Sequence, residues 1–200
     1  MSAAQRMEEL RNVMQTLPDD VREKSILAGG AVRAVFDGTA TKDYDLFFRS
    51  AKDASHVESW FLRHAEFVPE ESYPTAFAFR RDGRLFNLVM FGFGQPVDII
   101  AGFDFRACQL AVEFPATAPR GTLVPGPHAA TDALMRRLVV VNNNGDERTL
   151  KRIKHYVEDY GYTLEAPVEA TKVDIELKLD VVRAALASMP RSGRGSTVVY

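Results

Sequence analysis

The stretch from residue 25 to residue 48 constrains the fold more than any other part of the chain. A short apolar run from Ser25 to Ala28 leads into Gly29 and Gly30, and the apolar residues that follow have the spacing of a buried helix. From Asp43 to Phe48, polar and apolar residues alternate with the period of a strand. The order strand, glycine turn, helix, strand predicts an α/β (α+β) domain whose mixed sheet is flanked by helices.

The remainder of the chain has helix and strand patterns that fit such a domain. Apolar residues recur at helical spacing from Ala3 to Thr16 and from Ala54 to Ala65. An Asp-Gly turn at Asp82-Gly83 separates two runs that are typical of a hairpin. We also expect strands over Thr75 to Arg80, Leu85 to Phe91 and Pro96 to Ile100, a helix beginning near Phe105, an irregular connector from Pro115 to His128, and helices over Glu147 to Tyr160 and Val168 to Ser188.

Length and composition limit the number of domains. With 200 residues, of which 46% are hydrophobic and 26% charged, the chain can bury one substantial core. A helical part follows the predicted sheet. We therefore expect a head domain that contains the sheet over residues 1–114, a connector over 115–130, a helical neck-like subdomain over 131–190 and a flexible tail over 191–200.

The charge balance and the cysteine content exclude several classes of protein. A formal net charge of −2 excludes a surface that is basic throughout, so any contact with a polyanion must be local. The only cysteine, Cys108, excludes an internal disulfide and a multi-cysteine zinc site, which fits a reducing compartment. The sequence has no apolar run of the length that spans a membrane. We expect a cytoplasmic protein without DNA or membrane partners.

Three aspartates form the candidate metal site. Asp43 and Asp45 are two residues apart on a predicted strand, so both carboxylates point to one face of the sheet. Asp98 lies between Val97 and Ile99 in an apolar stretch, where a carboxylate is costly to bury unless it is paired or binds a metal. If the three converge, Mg²⁺, or Mn²⁺ as the alternative, relieves their repulsion and supports two-metal phosphoryl or nucleotidyl transfer.

The glycine turn is the candidate phosphate site. Gly29 and Gly30 lack a Cβ atom, so backbone N–H groups can approach phosphate oxygens there, and the following helix presents its positive end. Arg33, one turn into that helix, is a candidate contact for a triphosphate. The alternative for Arg33 is a surface salt bridge, which contributes little to binding.

The order and spacing of these motifs match a known pattern. Gly29-Gly30 is followed after twelve residues by Asp43-Tyr44-Asp45-Leu46, and Asp98 follows later. This order resembles the DNA polymerase beta-like nucleotidyltransferase superfamily, in which a glycine turn precedes paired carboxylates and a third lies on a later strand. Leu27 to Arg33 is similar to the Gly-Gly-x-Val-Arg opening of the bacterial-type tRNA nucleotidyltransferase and poly(A) polymerase branch. The resemblance implies an NTP substrate, with ATP or CTP preferred.

The predicted helix from Glu147 to Tyr160 resembles the arginine-bearing neck helix of the same branch. The resemblance implies that Arg152 and Lys151 contact the nucleotide, and the alternative is a solvated helix face. The branch has an aspartate after Val-Arg, whereas this chain has Ala34. We therefore expect a head and neck without the RNA-holding body, distinct from a standard CCA-adding or poly(A) enzyme.

Together these observations predict a metal-dependent nucleotidyltransferase that moves a nucleoside monophosphate from an NTP to an acceptor and releases pyrophosphate. The resemblance implies an RNA or tRNA 3′ end as the acceptor. Two alternatives stay open: a non-catalytic nucleotide- or RNA-binding regulatory module, and a transferase that acts on a small molecule or a protein hydroxyl. The sequence does not determine the acceptor, the preferred NTP or the oligomeric state.

Overall fold

A mixed sheet of seven strands forms the centre of the protein. The computed structural model of the chain describes residues 1–73, 76–142 and 147–165. Its strands are β1 (Ser25–Ala28), β2 (Asp43–Phe48), β3 (Val68–Tyr73), β4 (Ala76–Arg81), β5 (Arg84–Val89), β6 (Leu110–Glu113), β7 (Thr122–Pro125), β8 (Arg137–Val139) and β9 (Thr163–Glu165). Its helices are α1 (Ala3–Met14), α2 (Asp19–Lys24), α3 (Gly30–Asp37), α4 (Ala51–Arg63), α5 (Pro96–Ala101), α6 (Ala129–Met135) and α7 (Glu147–Glu158), with a short 3-10 helix at Arg106–Cys108.

The strand order across the main sheet is β3-β4-β5-β2-β1-β6-β7. Strands β2 and β5 run parallel, whereas the other neighbours in this sheet are antiparallel. A separate parallel pair is formed by β8 and β9, which come from the part of the chain that follows the main sheet. The arrangement confirms the expected mixed sheet flanked by helices.

The two faces of the main sheet are covered differently. On one face, aromatic and aliphatic side chains such as Leu46 and Phe86 pack with residues of α1, α3 and α4 in the larger core. On the other face, Ile99 and Ile100 of α5 pack against β1 and β6 in a smaller cluster. Asp43 and Asp45 alternate with Leu46 along β2, so their carboxylates lie on the face with the smaller cluster.

The predicted strand from Pro96 to Ile100 is wrong, because these residues form helix α5. Pro96 occupies the first turn, where a missing N–H group does no harm, and Asp98 closes a capping box with Gln95. The helix buries the adjacent residues Ile99 and Ile100 in one cluster, whereas adjacent side chains of a strand point to opposite faces. The apolar run is simply too short for its period to distinguish a strand from a helix.

Two other segments also differ from the sequence-based expectation. The connector predicted over residues 115–130 contains β7, which pairs with β6 and extends the main sheet. The helix expected near Phe105 is a single 3-10 turn at Arg106–Cys108, after which the chain enters β6. Strand β7 therefore lies in a segment where the content of Pro, Gly and Thr predicts irregular structure.

Some predicted segments lie outside the described residues. These are the helix expected over residues 168–188, the tail over 191–200 and the corresponding part of the neck-like subdomain. Within residues 1–73, 76–142 and 147–165, no helix has the length and apolarity that a membrane crossing requires.

Candidate nucleotide and metal site

Two carboxylates and one amide meet in the middle of the main sheet. Strand β5 runs parallel to β2, and the register places Asn87 directly beside Asp45. The Asn87 Nδ2 atom donates hydrogen bonds to Asp45 Oδ1 at 2.9 Å and to Asp43 Oδ2 at 3.3 Å. The amide therefore joins the two aspartates into one polar cluster at the centre of the sheet.

The environment of the two aspartates favours their protonated forms. Burial raises the pKa of Asp45 to about 7, and repulsion from Asp43 adds to the rise, whereas the Asn87 hydrogen bond opposes it. Burial also raises the pKa of Asp43, against the opposing charge of Lys42. Paired carboxylates in such surroundings gain from a cation that neutralises both of them.

The glycine turn lies against this carboxylate pair. Gly29 has a φ of 78°, in the left-handed region that favours glycine, and caps the start of α3. A Cβ atom at Gly29 would lie 3.9 Å from Asp45 Oδ2 and 3.6 Å from the Phe103 ring. At Gly30 such an atom would have no neighbour within 4 Å, so the space next to the Gly30 Cα atom is open.

Asp98 is not part of the carboxylate cluster. Its Oδ2 atom accepts a hydrogen bond from the Gln95 backbone N–H at 3.2 Å, within the exposed cap of α5. Among the described residues, no group of three or more His, Cys, Asp or Glu side chains is arranged to hold a metal ion. The expectation that Asp98 supplies a third carboxylate on a strand is therefore wrong, and Asn87 occupies the neighbouring strand position instead.

Arg33 also differs from its expected role. Its side chain is only 3% exposed and forms an ion pair with Asp37 one turn further along α3. The guanidinium lies 4.8 Å from the ring centroid of Tyr156 and 4.5 Å from that of Tyr160, both in or next to α7. Tyr162 donates a hydrogen bond to Asp37 Oδ2 at 2.7 Å. Arg33 thus joins α3 to the α7 region through a buried ion pair, rather than forming the surface salt bridge that was its alternative.

Helix α7 directs positive charge toward the carboxylates. Arg152 contacts both Asp104 oxygens, at 2.8 and 2.7 Å, and lies 5.0 Å from the Phe105 ring centroid. The charges of Arg152 and Arg148 both lower the pKa of Asp45, against the larger effect of burial. Lys151 is 67% exposed and pairs with Glu147 at 2.8 Å, so it is on the solvent side of α7. The structure thus brings Arg152, but not Lys151, toward the predicted site.

Sequence reasoning missed Asn87 in the cluster and Asp104, the partner of Arg152. Asn87 is a polar residue between apolar neighbours in β5, which is a signal for a buried contact, but its partners depend on the parallel register with β2. Asp104 follows the predicted strand segment, and local patterns gave it no role. Burial raises the pKa of Asp104, and the charge of Arg152 opposes part of that rise. Both residues act through tertiary contacts that local patterns do not contain.

Comparison of the sequence with protein families gives one match, which covers more than half of the chain. The profile described as "Gabija anti-defense 2 family protein" aligns with residues 5–133. The chain belongs to the Gabija anti-defense 2 family. The matched residues of this Gabija anti-defense 2 family member include the glycine turn, Asp43, Asp45 and Asn87, whereas α7 lies beyond the match. No curated protein sequence matches the chain.

Solved structures resemble this Gabija anti-defense 2 family member in fold. A CCA-adding enzyme in an apo form superposes with a TM-score of 0.65 at 14% identity, covering 90% of this chain and 44% of the enzyme. A CCA-adding enzyme in complex with CTP gives 0.64 at 13% identity and covers 94% and 48% of the two chains. The Thermotoga maritima CCA-adding enzyme complexed with tRNA gives 0.63 at 13% identity, covering 94% and 47%.

These likenesses show a nucleotidyltransferase-like fold. The chain spans less than half of the length of these three enzymes. The expected resemblance to tRNA nucleotidyltransferases is thereby confirmed for the fold, while the family of this member is the Gabija anti-defense 2 family. At such low identity the likeness does not carry over the activity of those enzymes.

Proposed function

We propose that this protein is a metal-dependent nucleotidyltransferase that transfers a nucleoside monophosphate from an NTP to an acceptor and releases pyrophosphate. The observation that carries the proposal is the closeness of the glycine turn to the aspartate pair, because Asp45 Oδ2 lies only 3.9 Å from the position that a Gly29 Cβ atom would take. Phosphates held at the start of α3 would lie beside two carboxylates, which is the arrangement that nucleotidyl transfer needs.

The donor set fits a hard divalent cation. Asp43 and Asp45 offer carboxylate oxygens on one face of β2, and Mg²⁺ in nucleotide enzymes is bound by one or two carboxylates together with substrate phosphates. When bound, such a cation neutralises charge on the phosphates and polarises the bond that breaks. Mg²⁺ is the proposed cofactor, and Mn²⁺ is the alternative.

The chain's own residues have separate roles in this proposal. Asp43 and Asp45 hold the cation, and the free N–H groups in the first turn of α3, after Gly29, bind phosphate oxygens. Arg152 is held in place by Asp104 and adds positive charge on the side of α7. Arg33 supports the site indirectly, because it fixes α3 against the α7 region.

The first candidate acceptor is an RNA or tRNA 3′ end. Solved structures of the same fold include complexes with ATP, CTP and tRNA, which supports nucleotide and RNA partners in general. The second candidate is a hydroxyl of a protein in the Gabija defence system, and the family description favours it because it names anti-defence against that system. A small-molecule acceptor is a third outcome of the same experiment.

A labelling experiment tests the proposal and separates the acceptors. The protein is incubated with each α-labelled NTP and Mg²⁺ or Mn²⁺, in separate reactions with total RNA, with purified Gabija proteins and with a small-molecule extract. We expect a labelled product that disappears with Asp43→Ala and persists with Asp19→Ala, an exposed aspartate in a surface pair.

The product identifies the acceptor class by its sensitivity to nuclease or protease. NTP and metal binding without any transfer would favour the non-catalytic nucleotide-binding alternative. Absence of transfer together with absence of metal-dependent NTP binding would refute the proposal.

A further inference from the structure

We infer that Asn87 restricts this site to a single divalent cation, held on the Gly29 side of the aspartate pair. The inference rests on the proposed function and specifies the metal content of the same site. It concerns the strand position beside Asp45, where a third carboxylate would complete a site for two cations and where this chain has an amide.

The Asn87 side chain presents its donor end to the carboxylates. The Nδ2 group, which carries two hydrogens, donates to both Asp45 Oδ1 and Asp43 Oδ2. An N–H group cannot coordinate a cation, and the two oxygens that accept its hydrogen bonds have less capacity left for one. The hydrogen bonds from Asn87 therefore disfavour a cation between Asn87 and the two aspartates.

The oxygen on the opposite side has a different environment. Asp45 Oδ2 is directed toward the glycine turn, at 3.9 Å from the position of a Gly29 Cβ atom. No side chain is present at Gly29 to fill this space, and phosphate oxygens at the start of α3 would complete a cation's ligands there. Asp45 Oδ2, which does not accept the Asn87 hydrogen bond, thus lies where a nucleotide-bound cation would arrive.

Other acidic residues do not replace the missing ligand. Asp98 caps α5 and accepts the Gln95 backbone N–H, and Asp104 is occupied by Arg152. Within the described parts of the chain, no third acidic, histidine or cysteine side chain joins Asp43 and Asp45 in a metal-binding group. A second cation would have to be held without a further protein charge.

The restriction has a consequence for the acceptor. In two-cation sites one ion stabilises the leaving oxygens and the other activates the attacking hydroxyl. A site with one cation on the phosphate side would retain the first role and would lack the ion that supplies the second. Asn87 is in this respect a residue that determines the metal content of the site.

Manganese binding tests the inference directly. Mn²⁺ is titrated into the full chain and followed by electron paramagnetic resonance of the free ion, with and without a non-hydrolysable ATP analogue, after subtraction of a protein-free blank. The variants are Asn87→Asp and Asn87→Ala, with Asn12→Asp as a matched control, because Asn12 is an exposed residue of α1. Circular dichroism and thermal unfolding establish that each variant is folded.

We expect one Mn²⁺ per chain for the wild type and for the Asn12→Asp control, in the presence of the ATP analogue. Asn87→Asp should bind a second ion or bind the first about tenfold more tightly, because it adds a charged ligand. Asn87→Ala should still bind one ion, about threefold more tightly, because it releases two carboxylate oxygens from hydrogen bonds.

Two ions in the wild type would overturn the inference and leave the proposed function intact. The same holds if Asn87→Asp changes neither the number nor the affinity of the ions, or if Asn87→Ala binds Mn²⁺ more weakly than the wild type. The Asn87→Ala result decides the question even if Asn87→Asp does not fold. Absence of Mn²⁺ binding in the wild type, with and without the analogue, would overturn both the inference and the metal-dependent function.

Discussion

Replacement of Asp45 by asparagine should stabilise the metal-free protein at alkaline pH. The folded state raises the pKa of Asp45 from 3.8 to about 7, mainly through burial and then through Asp43. Ionised Asp45 therefore destabilises the folded state, whereas an asparagine at this position is neutral and can still accept the Asn87 hydrogen bond.

The sign of the pH dependence follows from the raised pKa. Because the folded state binds the proton more tightly than the unfolded state, stability is highest below pH 4 for this group and falls as the pH rises to about 7. A difference of one pKa unit corresponds to about 1.4 kcal/mol, which gives an upper limit of about 4 kcal/mol for Asp45. Solvent screening at this partly exposed residue reduces the expected gain to about 1–2 kcal/mol.

Urea unfolding in EDTA at pH 5, 6, 7 and 8 measures this effect. Asp45→Asn should exceed the wild type by about 1–2 kcal/mol at pH 8 and by much less at pH 5. Asp82→Asn is the matched control, because Asp82 is 72% exposed in a turn whose left-handed backbone asparagine tolerates. The reasoning is refuted if Asp45→Asn is less stable than the wild type at pH 8, or if its advantage is the same at pH 5 and pH 8.

Three further substitutions test individual contacts. Arg33→Met should lower the free energy of unfolding by about 3–5 kcal/mol, because it leaves Asp37 buried without its cation. An equal loss for Arg11→Met, whose partner Glu8 is exposed, would contradict this. Asp98→Ala should weaken the α5 cap by about 1 kcal/mol but leave Mn²⁺ affinity unchanged in a titration, whereas a loss of Mn²⁺ binding would restore Asp98 as a ligand. Arg152→Ala should weaken binding of an ATP analogue about tenfold in calorimetry, with Lys151→Ala close to wild type, and equal effects of the two would refute the orientation of α7.

The central part of the fold was predictable because its signals are local. The glycine turn, the helix after it and the two-residue spacing of Asp43 and Asp45 depend on residues close together in the chain. The structure brings Gly29 and Asp45 together as the motif order indicated. The mixed sheet follows from the same order of elements.

The wrong or missing predictions concern residues whose conformation, burial or contacts depend on distant parts of the chain. Asp98 lies in a short apolar stretch that fits a strand and a helix equally well, and the packing of Ile99 and Ile100 selects the helix. The spacing of Arg33 and Asp37 is that of a helical ion pair. The burial of this pair, however, depends on tyrosines that lie more than 120 residues after Arg33 in the chain. Asn87 acquires its role only through the register between two parallel strands.

The contact between Tyr162 and Asp37 has a consequence for how the protein forms during synthesis. The two residues are 125 positions apart, so the ribosome has made most of the chain before this hydrogen bond can exist. Contacts of such long sequence separation form late, because the loop between them must close first. Until then Arg33 and Asp37 in α3 lack the tyrosines that cover them. The helix that begins at the glycine turn therefore reaches its final environment late, and a nascent chain that ends before α7 does not yet have the Arg152 side of the proposed nucleotide site.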